Sequence, residues 1–392
     1  MTTTMLKVLQ LHNQYVIPGG EDTIADDEAK LLAAAGHIVD RYRVRNPTDK
    51  KHAVAAVAGA AWNPMQARAL RDRIRETKPD VCHLHNTWFT LSPAVIHTLH
   101  DEGVPMVMTL QNYRLLCANA LFFRDGQVCT KCLDGHIWRA VKHRCYHDSV
   151  GQSALAATVI STARVRGTWQ LVDRFLAASN FVKSKFVEGG FAQERITVRP
   201  NLAPDCGART TRPSESKTVL YVGRLSREKG VDVLVDAWAR AGAAVQGLEL
   251  VIVGDGPLRQ ELEDRAVPDV RFTGWLQQAE VAQLMLTART NVLPSQVFET
   301  FGRSMVEAMA AAMPVIASDI STPGEIVGEL GANWLVEPTN GDAWVRALAQ
   351  LTDDALIDRD GARARELFDL KYSPQAAVSS LERVYRSVIA ER

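Results

Sequence analysis

The sequence predicts an α/β protein made of two doubly wound domains, and three observations lead there. Its 392 residues are too many for one ordinary core. In both halves, apolar runs of strand length alternate with stretches of helical periodicity, the pattern of a sheet covered by helices. Between the halves, residues 203–217 are rich in Pro, Thr, Ser and Arg, a composition that marks a linker.

Composition narrows the class. Hydrophobic residues at 46% and charged residues at 23% describe an ordinary globular chain. Forty-five basic side chains balance 45 acidic ones, so no whole-chain charge points to nucleic acid, and no nucleic-acid partner is expected. No apolar run approaches bilayer length. The start, Met1 to Lys7, lacks a basic stretch followed by an apolar one, so no secretory signal is expected and the cytoplasm is the expected compartment. Six cysteines in so long a chain do not describe a disulfide framework.

The first half opens with a strand over residues 6–12. A loop ends in Pro18-Gly19-Gly20, and a helix runs from Glu21 to about Ala35, closed by Gly36. With the strand from Ile38 to Arg43 this makes a β-α-β unit. Its glycine turn suits a phosphate or hydroxyl against bare amides, although most Gly-Gly pairs simply turn the chain. A helix at 64–77 leads to the strand Pro79 to Asn86, whose carboxyl end carries His83, His85 and Asn86. Strand ends of open parallel sheets are where ligands sit. A helix at 92–102 and a strand from Pro105 to Leu110 continue the alternation.

Residues 111–150 break it. Cys117, Cys129, Cys132 and Cys145 are spaced Cys-x11-Cys-x2-Cys-x12-Cys, with histidines at 136, 143 and 147. Four thiols with a Cys-x2-Cys knuckle suit a structural tetrahedral zinc, which would order a loop with little core of its own. A redox or disulfide pair and unlinked thiols are the competing readings. Four thiolates would leave no open position for catalysis. The alternation then resumes with a helix at 151–170, a strand at 174–178, a helix at 181–189 and a strand at 196–198, ending in Arg199-Pro200-Asn201.

The second half opens with the strand Thr218 to Val222, then Gly223-Arg224-Leu225-Ser226-Arg227-Glu228-Lys229-Gly230 and a helix. Arg224 could fork onto a diphosphate and Lys229 add a point charge, against the plainer reading of solvated surface cations. The strand 248–253 ends in Gly254-Asp255-Gly256-Pro257, a second glycine turn that lacks the third glycine of a dinucleotide fingerprint. A strand at 270–273, a helix at 278–287 and a strand at 290–293 lead to residues 294–319. There a loop holding Glu299, Thr300, Phe301 and Gly302 enters a helix holding Glu307, which ends at Pro314. Helix-start amides suit an anion, and Gly302 would let it approach. Either glutamate alone reads equally as a complement to the helix dipole. A short strand near 334–337 and helices at 340–350, 355–369 and 373–390 complete the chain.

The segment 294–319 closely resembles the Glu-x7-Glu signature of retaining nucleotide-sugar glycosyltransferases of the GT4 type, with Glu299 and Glu307 at the signature positions. The resemblance runs nearly the whole length, through Pro18-Gly19-Gly20-Glu21, Arg199-Pro200-Asn201, Val222-Gly223-Arg224 to Lys229-Gly230, and Val253-Gly254-Asp255-Gly256-Pro257. It implies a GT-B fold: two Rossmann-like domains facing a cleft, residues 1–203 with an insertion at 111–150, a linker at 204–217, and residues 218–372. The last helix, 373–392, would cross back onto the first domain.

By this resemblance Arg224 and Lys229 bind the diphosphate of a UDP- or GDP-sugar, and Glu307 binds its ribose. Glu299 binds sugar hydroxyls rather than acting as a nucleophile. Thr300, Phe301, Gly302, Gly254 and Gly256 hold the donor in the second domain, and Gly19 and Gly20 reach it from the first. No catalytic metal is expected. Relatives carry a histidine after the fourth strand where this chain has Gln111, so Gln111 or His85 takes that part, unless His85 is a satisfied buried histidine. Ala312 stands where the family has glycine.

His83 to Asn86 and Asn112 to Cys117 resemble a bacterial subset that builds surface polysaccharide. For it, the Cys-rich loop would shape the site of a carbohydrate or lipid-linked acceptor. Trp138, Arg139, Lys142 and Arg144 would touch such an acceptor at the inner membrane face, or form a solvated surface. The competing functions are a nucleotide-sugar epimerase or hydrolase on the same fold, and a non-catalytic zinc-stabilised nucleotide-binding protein.

Overall fold

The computed structural model describes residues 5–16, 19–49 and 56–392, so Pro18 of the first glycine turn and residues 1–4 of the amino-terminal segment lie outside the described residues. The chain divides into two compact units: Met1–Phe122, Thr130–Leu202 and Ala377–Arg392 in one, Phe123–Cys129 and Ala203–Ala376 in the other.

The strands are, in chain order, β1 (Lys7–Gln14), β2 (Ile38–Arg45), β3 (Val81–Asn86), β4 (Met106–Thr109), β5 (Phe123–Arg124), β6 (Gln127–Val128), β7 (Arg174–Ala177) and β8 (Ile196–Val198). The first unit's sheet has the order β2-β1-β3-β4-β7-β8, with every neighbour parallel. Chain order reverses between β1 and β3, so a crevice opens at their carboxyl ends. β3 and β4 are buried at every position, as strands covered by helices on both faces must be. The last helix, Pro374–Ala390, contributes Leu381, Tyr385 and Val388 to the apolar cluster of Leu6, Val8, Val81, Val107 and Leu176. Their spacing of four and three residues puts them on one helical face.

The second unit's sheet comprises β9 (Thr218–Val222), β10 (Glu249–Val253), β11 (Val270–Gly274), β12 (Thr290–Leu293), β13 (Val315–Ser318) and β14 (Leu335–Val336). It is also all parallel, in the order β11-β10-β9-β12-β13-β14. Counted within the unit this is 3-2-1-4-5-6, the dinucleotide-binding order, with its reversal between β9 and β12. The Pro- and Ser-rich stretch is not a free tether. Ser214 binds Asp358 through its N–H at 3.0 Å and its hydroxyl at 2.8 Å, and Arg209 Nη1 donates to the Ala311 carbonyl at 3.1 Å.

Residues 111–150 form a two-residue β5–β6 ladder and a short helix, Arg139–Lys142. The expected zinc set is not assembled there. Among the described residues, the group of His, Cys, Asp or Glu whose ligand atoms lie within 4.8 Å of one another is Glu28, His83 and His85, and no cysteine belongs to it. Cys117 is buried and donates its thiol to Asn119 Oδ1 at 2.9 Å. Cys132 and Cys145 pack against an apolar cluster that includes Trp88, Ala118, Ile137, Ala140, Ala157 and Ile160. The helix Val150–Val165 contributes Ala156, Ala157, Val159 and Ile160 to the same cluster.

Candidate active site

Arg224, Lys229, Glu299, Thr300, Phe301 and Gly302 sit on the two loops that leave β9 and β12 at the reversal. Backbone contacts bring these loops together. Gln296 N–H donates to the Glu228 carbonyl at 2.9 Å, and Gly230, at φ 67°, lies so close that a Cβ there would stand 1.9 Å from the Pro294 carbonyl oxygen. Only glycine satisfies both the left-handed backbone and that approach.

The consequence is a contact between Lys229 Nζ and Glu299 Oε1 at 2.6 Å, with the Ser295 hydroxyl donating to the same oxygen at 2.6 Å. Burial would raise the Glu299 carboxyl. The Lys229 charge, with the hydrogen bonds from Lys229 and Ser295, outweighs it and holds the group below its usual range. Arg224 is exposed and makes no ion pair among the described residues, while its carbonyl accepts from the buried Tyr221 hydroxyl at 2.8 Å. Its exposed guanidinium shares the loop after β9 with Lys229, and two cations on one such loop suit a phosphate.

Gly302, at φ 80°, caps the helix Arg303–Ala310, whose first N–H groups have no partner within the helix. Phe301 is 3% exposed and its ring is packed in the core, which leaves its backbone for any ligand. The Thr300 carbonyl is held by the Thr322 hydroxyl at 3.1 Å. Glu307, one turn into the helix, receives Arg303 Nε at 2.7 Å. Gly254 and Gly256 have a packing reason of their own. A Cβ on Gly254, at φ 133°, would stand 1.9 Å from the Gly223 carbonyl oxygen, and one on Gly256 would stand 2.4 Å from that of Leu225. The two glycine turns are thus zipped to each other.

In the first unit, the carboxyl ends of β1, β3 and β4 hold a buried polar network. Glu28, on the helix Gly20–Ala34, meets Arg199 Nη1 at 2.8 Å, His83 Nδ1 at 2.8 Å and His85 Nε2 at 3.3 Å. Burial opposes the Glu28 carboxylate, but the charges of His83 and Arg199 hold it well below the usual range. Burial, and then the neighbouring His83, pushes His85 down to about 4, so it is neutral near pH 7. Gln111 Nε2 lies 3.4 Å from His85 Nδ1, and Gln111 Oε1 accepts from Asn201 at 3.3 Å. His85 and Gln111 line a small cavity of about 40 Å³ with Asn112 and Trp169. Although Glu28, His83 and His85 have metal-ligand chemistry, the Arg199 cation at 2.8 Å already neutralises the carboxylate, which disfavours a second positive charge.

Gly19 donates its N–H to Asp22 Oδ2 at 2.9 Å, and Asp22 Oδ1 pairs with His12 Nε2 at 2.9 Å. A Cβ on Gly19 or Gly20 would meet nothing within 4 Å, so packing does not demand either glycine. Sequence reasoning missed Glu28, His12 and the anchoring parts of Arg199 and Asn201. The i, i+2 spacing of His83 and His85 was a usable signal, since alternate strand residues share a face, and their ring centroids lie 4.3 Å apart.

Two family models match the chain: "Glycosyltransferase Family 4" over residues 18–203 and "Glycosyl transferases group 1" over residues 208–366. Alpha-D-kanosaminyltransferase of Streptomyces kanamyceticus is 31% identical over 299 residues, 73% of this chain and 71% of that protein. Glycogen synthase of Mycobacterium tuberculosis is 34% identical over 324 residues, 79% of this chain and 69% of that protein. The crystal structure of Anabaena HepE in complex with UDP-glucose matches with TM-score 0.69 at 16% identity, covering 97% of this chain and 100% of that one. Likeness at that identity speaks for the fold alone: GT-B, with two Rossmann-like units. Sequence identity over two thirds of named transferases speaks for the family, and the chain belongs to the GT4-type glycosyltransferases.

Proposed function

We propose that this glycosyltransferase moves a sugar from a UDP- or GDP-sugar to a hydroxyl of a carbohydrate or lipid-linked acceptor, with retention of anomeric configuration, in surface polysaccharide or glycolipid synthesis. The observation that supports it best is the Lys229–Glu299 contact at 2.6 Å, at the reversal of a sheet with dinucleotide-binding strand order. In this reading Arg224 and Lys229 take the diphosphate. Charge builds on that leaving group as the anomeric bond breaks, and fixed cations with the amides entering the helix at Gly302 offset it. Glu299, kept ionised, accepts sugar hydroxyls, and Glu307 accepts those of the ribose. No metal takes part. Gln111 assumes the hydrogen-bonding part of the family histidine, with neutral His85 behind it.

The relatives named above are a kanosaminyltransferase and a glycogen synthase, which favours hexosyl transfer, and the HepE crystals hold UDP-glucose, which favours a uridine donor. No described helix is long and apolar enough to cross a membrane. Trp138 is 54% exposed beside exposed Arg139 and Lys142, which suits contact with an anionic lipid-linked acceptor.

Thermal unfolding with UDP, GDP, ADP, CDP and TDP tests the donor reading. A diphosphate at one hundred times its Kd stabilises the native state by about 2.7 kcal/mol. A rise in Tm with UDP or GDP, lost in Lys229→Ala, is the expected result, and no rise with any of the five overturns it. The anomeric configuration of the product, read by NMR, tests retention.

A further inference from the structure

A second cavity of about 420 Å³ lies in the first unit, lined by Arg164, Trp169, Phe175, Phe191 and Arg195, with Gly190 and Ala192 at its edge. It sits where the turn Thr168–Leu171 enters β7 and where the helix Asn180–Glu188 ends. That is the amino-terminal end of β7, whereas His85 and Gln111 lie at the carboxyl ends of their strands. Nothing assigned to the transfer reaction uses it.

Two of its lining side chains have unmet hydrogen-bond donors. Trp169 is 7% exposed and its indole Nε1 has no acceptor; Arg164 Nη2 is buried and also has none. Burial lowers the Arg164 pKa, against the charges of Cys132 and Asp134, and among the described residues no carboxylate lies within ion-pair distance of it. A buried N–H without an acceptor is costly, and both of these belong to residues that line the cavity. Arg195 adds a second cation, held in place by the carbonyl oxygens of Gln170 and Val172, the latter at 3.3 Å. Glu194 is the one lining carboxylate against these two guanidinium groups. The walls are aromatic, with Phe175 and Phe191 edge to face at 5.2 Å between centroids. The volume falls within the usual range for small-molecule sites.

We infer that this cavity binds a small molecule with a flat apolar body and an oxyanion head, a carboxylate or a phosphate. The head pairs with the guanidinium groups of Arg164 and Arg195, and the body lies against Phe175 and Phe191. Trp169 also lines the cavity beside His85 and Gln111, so its ring is a wall common to both.

Calorimetric titration of the full chain with 2-naphthoate, 2-naphthyl phosphate and neutral 2-naphthalenemethanol tests this. Either anion should bind saturably and about tenfold or more tighter than the alcohol, and Arg164→Gln should erase that preference. The tighter of the two anions identifies the head. Ala192→Trp, a change at an exposed position, should plug the cavity and abolish binding of all three. Ligand-free melting curves confirm that each variant is folded, and their response to UDP reports the donor site separately. The inference is overturned if the anions bind no better than the alcohol, or if Arg164→Gln binds them as the parent does.

Discussion

Lys229 and Glu299 are 70 residues apart in sequence and 2.6 Å apart in the structure. Their contact depends on Gly230, because a side chain there would strike the Pro294 carbonyl and push the two loops apart. The side chains are 31% and 12% exposed, so the pair is screened enough to open for a ligand yet buried enough to hold Glu299 ionised. A diphosphate arriving at Lys229 would compete with Glu299 and leave it available for hydroxyl donors.

Lys229→Ala and Glu299→Gln should each lower kcat/KM by roughly a hundredfold or more, and the double variant should lose much less than the product of the two. The pair should also show in acid. The folded-state carboxyl of Glu299 is depressed, so its contribution is complete above the unfolded glutamate range, about 4.3, and is lost as pH falls through the lower folded value. Urea melts of Glu299→Gln should therefore lose less stability than the parent between pH 5 and pH 3.

His85 gives the opposite kind of sensitivity. Its folded pKa, about 4, lies below that of the unfolded histidine, so the unfolded state binds the extra proton first as pH drops. Stability should fall between about pH 6.5 and pH 4, by up to about 3 kcal/mol from this group. In His85→Asn the stability difference between pH 7 and pH 5 should shrink. An unchanged difference would show that His85 takes up its proton in the folded protein as readily as in the unfolded chain.

Two backbone positions make contrary predictions. Gly254→Ala places a Cβ against the Gly223 carbonyl at a positive φ and should cost about 3 kcal/mol or more. Ala312, at φ 53°, holds the left-handed position after the helix Arg303–Ala310, with Met313 N–H bonding back to the Ala308 carbonyl at 3.0 Å. Ala312→Gly should therefore raise stability by about 0.5–1 kcal/mol, readable as a higher Tm.

The cysteines should behave as packing atoms. Incubation with EDTA should leave the melting temperature unchanged, and Cys132→Ala should cost about 1 kcal/mol without loss of folding. Stoichiometric zinc in the purified protein would contradict this account.

Much of the fold was legible because strand and helix periods are written into local sequence. The strands 218–222 and 290–293 and the helices 64–77 and 278–287 have the limits that alternation and periodicity predict. The glycine turns and the spacing of Glu299 and Glu307 were equally local, and pointed to the second unit's loops. Four cysteines in a row of spacings suggested a metal, but spacing does not say which way a thiol faces. Cys132 and Cys145 pack against an apolar cluster that takes in the helix Val150–Val165.

The network around Glu28 had no such signature. Its carboxylate meets Arg199 from 171 residues away, and His83 meets the Tyr385 hydroxyl at 2.8 Å across 302 residues. Sequence by itself determined the elements, the parallel α/β class and the loops that bear the cations, since these follow from periodicity and turn chemistry within a few residues. Tertiary structure alone decided which strand ends lie at each reversal, which charges are paired, and that His85 is buried and neutral. Those depend on desolvation and on partners that only packing brings within hydrogen-bond reach.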